Sequence, residues 1–131
     1  MHQQRDSLSM LFDQTVNTRL EGTITTTDDG TILLFNKRAQ ELLDLDSTAD
    51  SYKIQELITF YTADDLSVLS PTETPFFTAL SKNQDQNEII LGRKKDQEFK
   101  WYQFDVHVMI KDNKKGLLIS FMDVSKLVNK N

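Results

Sequence analysis

Apolar residues recur at steps of three and four near the start of the chain. Leu8, Leu11, Phe12, Val16 and Leu20 fall on one stripe, which predicts an amphipathic helix within residues 1–20. Asp6, Asp13, Gln14 and Asn17 occupy the other face. Such a helix is marginal alone in water, so the stripe needs a surface to cover it. At Glu21-Gly22 the period changes. Residues 23–27 form a β-branched run that favours strand, and residues 31–35 predict a second strand. Asp28-Asp29-Gly30 between them carries turn chemistry, so the two read as a hairpin. Asn36 is a good N-cap for a helix over 37–45, with Ala39, Leu42 and Leu43 at helical spacing. Ile54, Leu57, Ile58 and Tyr61 suggest another short helix, and residues 64–69 a turn. Pro71 and Pro75 bracket the start of a helix over about 73–81, whose apolar residues are Phe76, Phe77 and Leu80.

The last third reads as strands. Residues 88–93 are the first. Residues 99–110 form a long strand in which Tyr102, Phe104, Val106, Val108 and Ile110 alternate with mostly polar positions, the clearest period of two in the chain. Residues 116–124 form the last. Short charged turns at 94–98 and 111–115 let these three pair as antiparallel neighbours. The first hairpin must join the same sheet, since an isolated two-stranded hairpin is barely stable. The expectation is an α+β fold: a five-stranded antiparallel sheet with short helices on one face.

Composition narrows the chemistry. The 131 residues suit one domain, and a net charge of −5 argues against contacts with nucleic-acid phosphates. The absence of cysteine excludes a disulfide scaffold, a thiolate metal site and a cysteine nucleophile. Two histidines are too few for an imidazole metal cage. No apolar run approaches the ~20 residues of a membrane helix, and Met1 to Asp6 lacks a signal-peptide core, so the expected setting is cytoplasmic. Asp105 and His107 share a strand face that Ser120 can join. Yet no nucleophile elbow or glycine-rich oxyanion turn accompanies them, and the three read as a polar outer face. Asp28-Asp29 lacks the spaced acids of a calcium loop, and no phosphate loop occurs. The chain is not expected to be an enzyme.

Four stretches, taken in order, resemble a PAS domain, the sensor module of bacterial signalling proteins. "EGTITTTDDGTILLFNKRAQELLDL" is similar to the opening hairpin and first helix of that family. "SPTETPFFTALSKNQ" resembles its later helix with a proline near the start, and "FKWYQFDVHVMIKDNKKG" its long strand. "LLISFMDVSKL" is similar to the closing strand and its Asp-hydrophobic-Thr motif, here Asp123-Val124-Ser125. The resemblance spans about Gly22 to Ser125. Two departures are mild: Asp96-Gln97 stands where Asp-Gly is common, and Ser125 where Thr is usual.

The resemblance implies a PAS sensor domain over 21–125, with 126–131 beginning a linker to a downstream effector such as a histidine kinase or diguanylate cyclase. It implies a signal relay through Asp123, Val124 and Ser125, with Arg93 or Lys95 as ionic partners of Asp123. A candidate ligand pocket lies between helix and sheet, lined by Phe76, Phe77, Leu80, Tyr102, Phe104 and Val106, although such residues also simply fill a core. No cofactor is expected: a flavin adduct needs a cysteine, and neither His2 nor His107 falls on a cavity-facing helix to ligate haem. Any ligand is expected to be small and uncoloured. A homodimer is expected through Leu8, Leu11, Phe12, Val16 and Leu20, assisted by the sheet's outer face around Trp101 and Met109. The alternatives are a stand-alone small-molecule-binding protein and a purely structural dimerisation domain.

Overall fold

A computed structural model describes residues 21–128; the expected N-terminal helix, with its stripe from Leu8 to Leu20, lies outside the described residues. Strands β1 (Glu21–Thr26) and β2 (Ile32–Phe35) form the expected hairpin. Asp29 organises its turn. One carboxylate oxygen accepts from the Thr27 hydroxyl at 2.6 Å, the Thr31 hydroxyl at 2.7 Å and the Thr31 amide at 3.0 Å. Gly30 sits at φ 92°, where a side chain would be strained, and Gln55 fills the space a Cβ would take.

Helix α1 (Lys37–Leu43) begins at the expected cap. Asn36 Oδ1 accepts from the Ala39 amide at 2.8 Å and from the Thr23 amide at 2.9 Å, while Nδ2 donates to the Glu21 carbonyl at 3.2 Å. One side chain thus caps the helix and ties it to β1. A 3₁₀ turn (Ala49–Ser51) leads to the short helix α2 (Ile54–Leu57). Strands β3 (Phe60–Thr62) and β4 (Val68–Leu69) follow, then a 3₁₀ turn (Pro71–Glu73) and helix α3 (Pro75–Lys82). Thr74 caps α3, accepting from the Phe77 amide, and Pro75 opens its first turn. The long strands are β5 (Gln86–Lys95), β6 (Glu98–Lys111) and β7 (Lys114–Asp123), and the one-turn helix α4 (Ser125–Val128) ends the described chain.

The sheet has seven strands in the order β2-β1-β7-β6-β5-β3-β4, all neighbours antiparallel. The expected five are all present. The two additions, β3 and β4, are only three and two residues long, too short to show a period, and Tyr61 lies on β3 rather than on a helix. Asp96-Gln97 and Asp112-Asn113 form two-residue hairpin turns with positive φ at all four positions. That is the primed-turn geometry whose twist matches the strands, reached at both turns without the usual glycine. Tyr102, Phe104 and Val106 of β6 point into the core with Ile24, Leu117, Ile119 and Phe121, under the helices. Val108 is half-buried and Ile110, beyond the helical cover, is exposed.

Candidate functional site

The space between α3 and the sheet is filled by aromatic rings. Phe60, Phe76 and Phe104 pack with centroids 5.4–5.6 Å apart, and Phe121 stacks on Phe104 at 5.0 Å. Tyr102 sits edge-on to both Phe104 and Phe121. The residues expected to line a pocket therefore divide. Phe76, Leu80, Tyr102, Phe104 and Val106 are brought together as core. Phe77 is 37% exposed and does not join them. The reason is helical: Phe76, Ala79 and Leu80 share the buried stripe, and the next residue after Phe76 turns about 100° away from it.

A cleft of about 500 Å³ opens instead beside this core. Leu43, Leu45, Leu57, Ile58, Tyr52 and Tyr61 line its apolar part, and Arg93, Lys94, Asp44 and Asp46 its polar part. Arg93, with its side chain 14% exposed, is the central group. Its Nη2 donates to the Leu42 carbonyl at 3.1 Å and to Asp44 Oδ2 at 2.9 Å. The Tyr102 hydroxyl donates to the same carbonyl at 2.8 Å. Leu42 is in the last turn of α1, where carbonyls lack helical partners, so β5 and β6 both cap that helix from the side. Lys95 Nζ reaches the same Asp44 oxygen at 2.9 Å. Lys95, then Arg93, holds the Asp44 carboxyl below the usual carboxylate range against the opposing effect of burial. Burial pushes the Tyr102 hydroxyl up, with Arg93 pulling the other way. Arg93 and Lys95, expected beside Asp123, are thus engaged by Asp44.

At the end of the sheet the closing residues grip β6. The Val124 amide donates to the Trp101 carbonyl at 2.8 Å, and the Trp101 amide donates to Ser125 Oγ at 2.9 Å. The Ser125 amide in turn donates to Asp123 Oδ1 at 2.8 Å. Val124 is buried. Trp101, expected on an open outer face, is 4% exposed. Its ring stacks on Phe99 at 5.5 Å and covers Gly92, its partner in register on β5.

Likeness to solved structures decides the fold. A PAS domain of an HTR-like protein from Haloarcula marismortui matches with a TM-score of 0.65 over 94% of this chain and 97% of that one, at 14% identity. This chain has the PAS fold. A PAS domain from a two-component sensor histidine kinase matches at TM-score 0.61 and 10% identity, over 90% of this chain and 98% of that one. The E. coli DhaR(N)–DhaL complex contains a chain matching at TM-score 0.62 and 15% identity; 93% of the present chain is covered but only 37% of that one. No family model matches the sequence, and no curated protein matches it.

Among the described residues, the space between α3 and the sheet is not shaped for the flavin or haem that some PAS domains hold. A tricyclic ring between α3 and the sheet would have to displace Phe60, Phe76 and Phe104 from their mutual packing. His107 lies on the exposed side of β6, where Nδ1 is 2.7 Å from Asp85 Oδ2. Asp105 instead accepts from the Glu88 amide at 2.9 Å, so Ser120, Asp105 and His107 form no hydrogen-bonded relay. Among the described residues no three His, Asp or Glu side chains gather to hold a metal, and no helix is long and apolar enough to cross a membrane. Sequence reasoning missed Asp44 and the cleft role of Arg93. The two lie 49 positions apart, and only the fold brings them together.

Proposed function

We propose that the chain is a cytoplasmic PAS sensory module that relays a bound ligand, redox state or partner to an output domain such as a histidine kinase or diguanylate cyclase. The observation that carries the reading is the grip of Val124 and Ser125 on the Trp101 main chain. It makes the exit from the sheet depend on the position of β6, which is also the strand that contacts the core rings. A shift of β6 then changes the direction in which the chain leaves at Asp123-Val124-Ser125. Such a device works by shifting populations between two arrangements, to the extent that the signal favours one. The solved likeness to a PAS domain from a sensor kinase supports it. Pairing of two chains through the stripe from Leu8 to Leu20 belongs to the same proposal, with residues 126–131 starting the connection to the output. No catalysis is assigned to the domain.

The cleft beside Arg93 favours a second reading, a small-molecule-binding protein without an output domain. Ser125→Ala separates the two in the full-length protein. It leaves the Trp101 amide without its partner, so stability should fall by about 1–3 kcal/mol in a urea titration. Output activity should change at a temperature where the variant is still folded, and Ser125→Thr, which keeps the hydroxyl, should restore both. Unchanged output in folded Ser125→Ala would remove the sensor reading and leave the binding one.

A further inference from the structure

The hairpin of β6 and β7 outruns the rest of the sheet. β5 pairs with β6 only as far as Gln86 opposite Val106, whereas β7 stays paired with β6 up to Lys114 opposite Lys111. Main-chain groups along β6 alternate in direction. Those of Trp101 meet Val124 and Ser125 on the β7 side, and the Val108 amide points the other way. The register with β7 is unbroken up to Lys111, so Ile110 also turns its amide and carbonyl toward the side that β5 has left. Among the described residues no strand meets them there. Val108, Met109 and Ile110 carry no charge, and the Ile110 side chain is 64% exposed. An apolar edge of this kind is a template for a further strand unless something blocks it. Asp85, just before β5, stands in the way. Its Oδ1 accepts from the Val108 amide at 2.8 Å, and its Oδ2 lies 2.7 Å from His107 Nδ1. The side chain is partly exposed, so it can swing into water and leave the core intact.

We propose that the tip of β6 is an interface for a second copy of this chain, held shut by Asp85. Turned antiparallel about Met109, two such edges match. Val108 of each copy faces Ile110 of the other, so the main-chain groups that lack a strand satisfy one another. Both Ile110 side chains leave water at the same time. The same register sets Lys111 across from His107 of the other copy, next to the carboxylate that His107 holds. Lys111 makes no ion pair among the described residues, so the displaced Asp85 gains a cation of opposite charge. The contact is two-fold and closes on a pair of chains. It rests on the fold alone and not on the sensor reading. Met109 meets its own copy across the axis, in a position without mutual hydrogen bonds. Cα atoms there lie about 4.5 Å apart, within the roughly 4.4–6.8 Å that a disulfide spans.

The test is a cross-link in the full chain, which has no cysteine of its own. Met109→Cys combined with Asp85→Ala, treated with oxidised glutathione, should give a covalent dimer. Met109→Cys with Asp85 intact should link more slowly, and Asp85→Asn, which keeps an acceptor for Val108, should fall between the two. Adding Ile110→Pro removes an edge amide and should abolish the link. Ile90→Cys with Asp85→Ala, an exposed thiol elsewhere on the sheet, should stay unlinked. In sedimentation without oxidant, Asp85→Ala should self-associate about tenfold more tightly than the parent, since no hydrogen bond to Val108 has to be broken first. No link at Met109, equal rates with and without Asp85, equal linking at Ile90, or linking that survives Ile110→Pro overturns the inference. Pairing through the stripe from Leu8 to Leu20 is insensitive to Ile110→Pro and stands or falls separately.

Discussion

Gly92 shows how one residue governs a larger feature. Its lack of a side chain lets the Trp101 ring lie flat across β5, and a Cβ there would meet the six-membered ring of the indole. The ring has little room to yield, since Phe99 stacks on it and Tyr61 packs edge-on to Phe99. Gly92→Ala should therefore destabilise the domain by about 1–3 kcal/mol, the usual result of overpacking. Urea unfolding measures the loss. Trp101 is the sole tryptophan, so its emission should also shift to longer wavelength in the folded variant. An unchanged spectrum with unchanged stability would mean that the ring is not held against β5. The sequence contains both residues, but nothing local reveals that they face each other. That follows from the register of two long strands, fixed by the tight turn at Asp96-Gln97.

At the scale of elements, α1 depends on one side chain. Asn36 satisfies an orphan amide of the helix and holds two main-chain groups of β1. Asn36→Ala should cost about 2 kcal/mol or more, above the ~1 kcal/mol typical of a cap, because a strand amide also loses its partner. Asn36→Asp keeps the acceptor and should recover most of the loss in the same thermal or urea measurement. Full destabilisation by Asp would assign the effect to the Nδ2 donor instead. The cap was legible from Asn36 and the apolar spacing of Ala39, Leu42 and Leu43. So was β6, whose Tyr102, Phe104, Val106 and Val108 fall on the core face. The stretch from Ile54 to Leu69 was not. Ile54, Leu57, Ile58 and Tyr61 keep helical spacing, yet the helix stops at Leu57 and Tyr61 pairs with Gly92. Short apolar runs carry both periods, and pairing across the sheet decides between them.

For the whole molecule, acid is the informative stress. Asp29 is held down to about 2 from its ordinary 3.8, first by the Thr27 hydroxyl and then by Thr31. Asp44, Asp46, Asp65, Glu73 and Asp85 are also lowered, each by hydrogen bonds to its charged form. A depressed carboxyl stabilises the fold fully above its unfolded pKa and ceases to do so as pH falls through its folded value. Melting temperature should therefore be level above about pH 5 and fall between about pH 4 and pH 2. These side chains are mostly exposed, so each contributes modestly. Asp29→Asn should melt lower at neutral pH and lose less on acidification; a fall equal to the parent's would contradict its assignment. The fold as a whole was legible because its two halves each carried a clear period. The cleft was not, since it is made by Asp44, Tyr61 and Arg93 from three separate elements.

The pairing of β1 with β7 has a mechanical consequence. Glu21 lies opposite Met122, so the chain enters and leaves the domain at the same end of two adjacent antiparallel strands. Tension between a segment before Glu21 and one after Asp123 would not slide the strands past each other. It would load their cross-strand hydrogen bonds one pair after another, as in opening a zip, because those bonds run perpendicular to the strands. Such a peel offers far less resistance than shear across the whole ladder. A domain joined at both ends to moving parts would then open from Glu21 and Met122 inward, separating β1 and its hairpin from β7 while the pairing of β5, β6 and β7 still held.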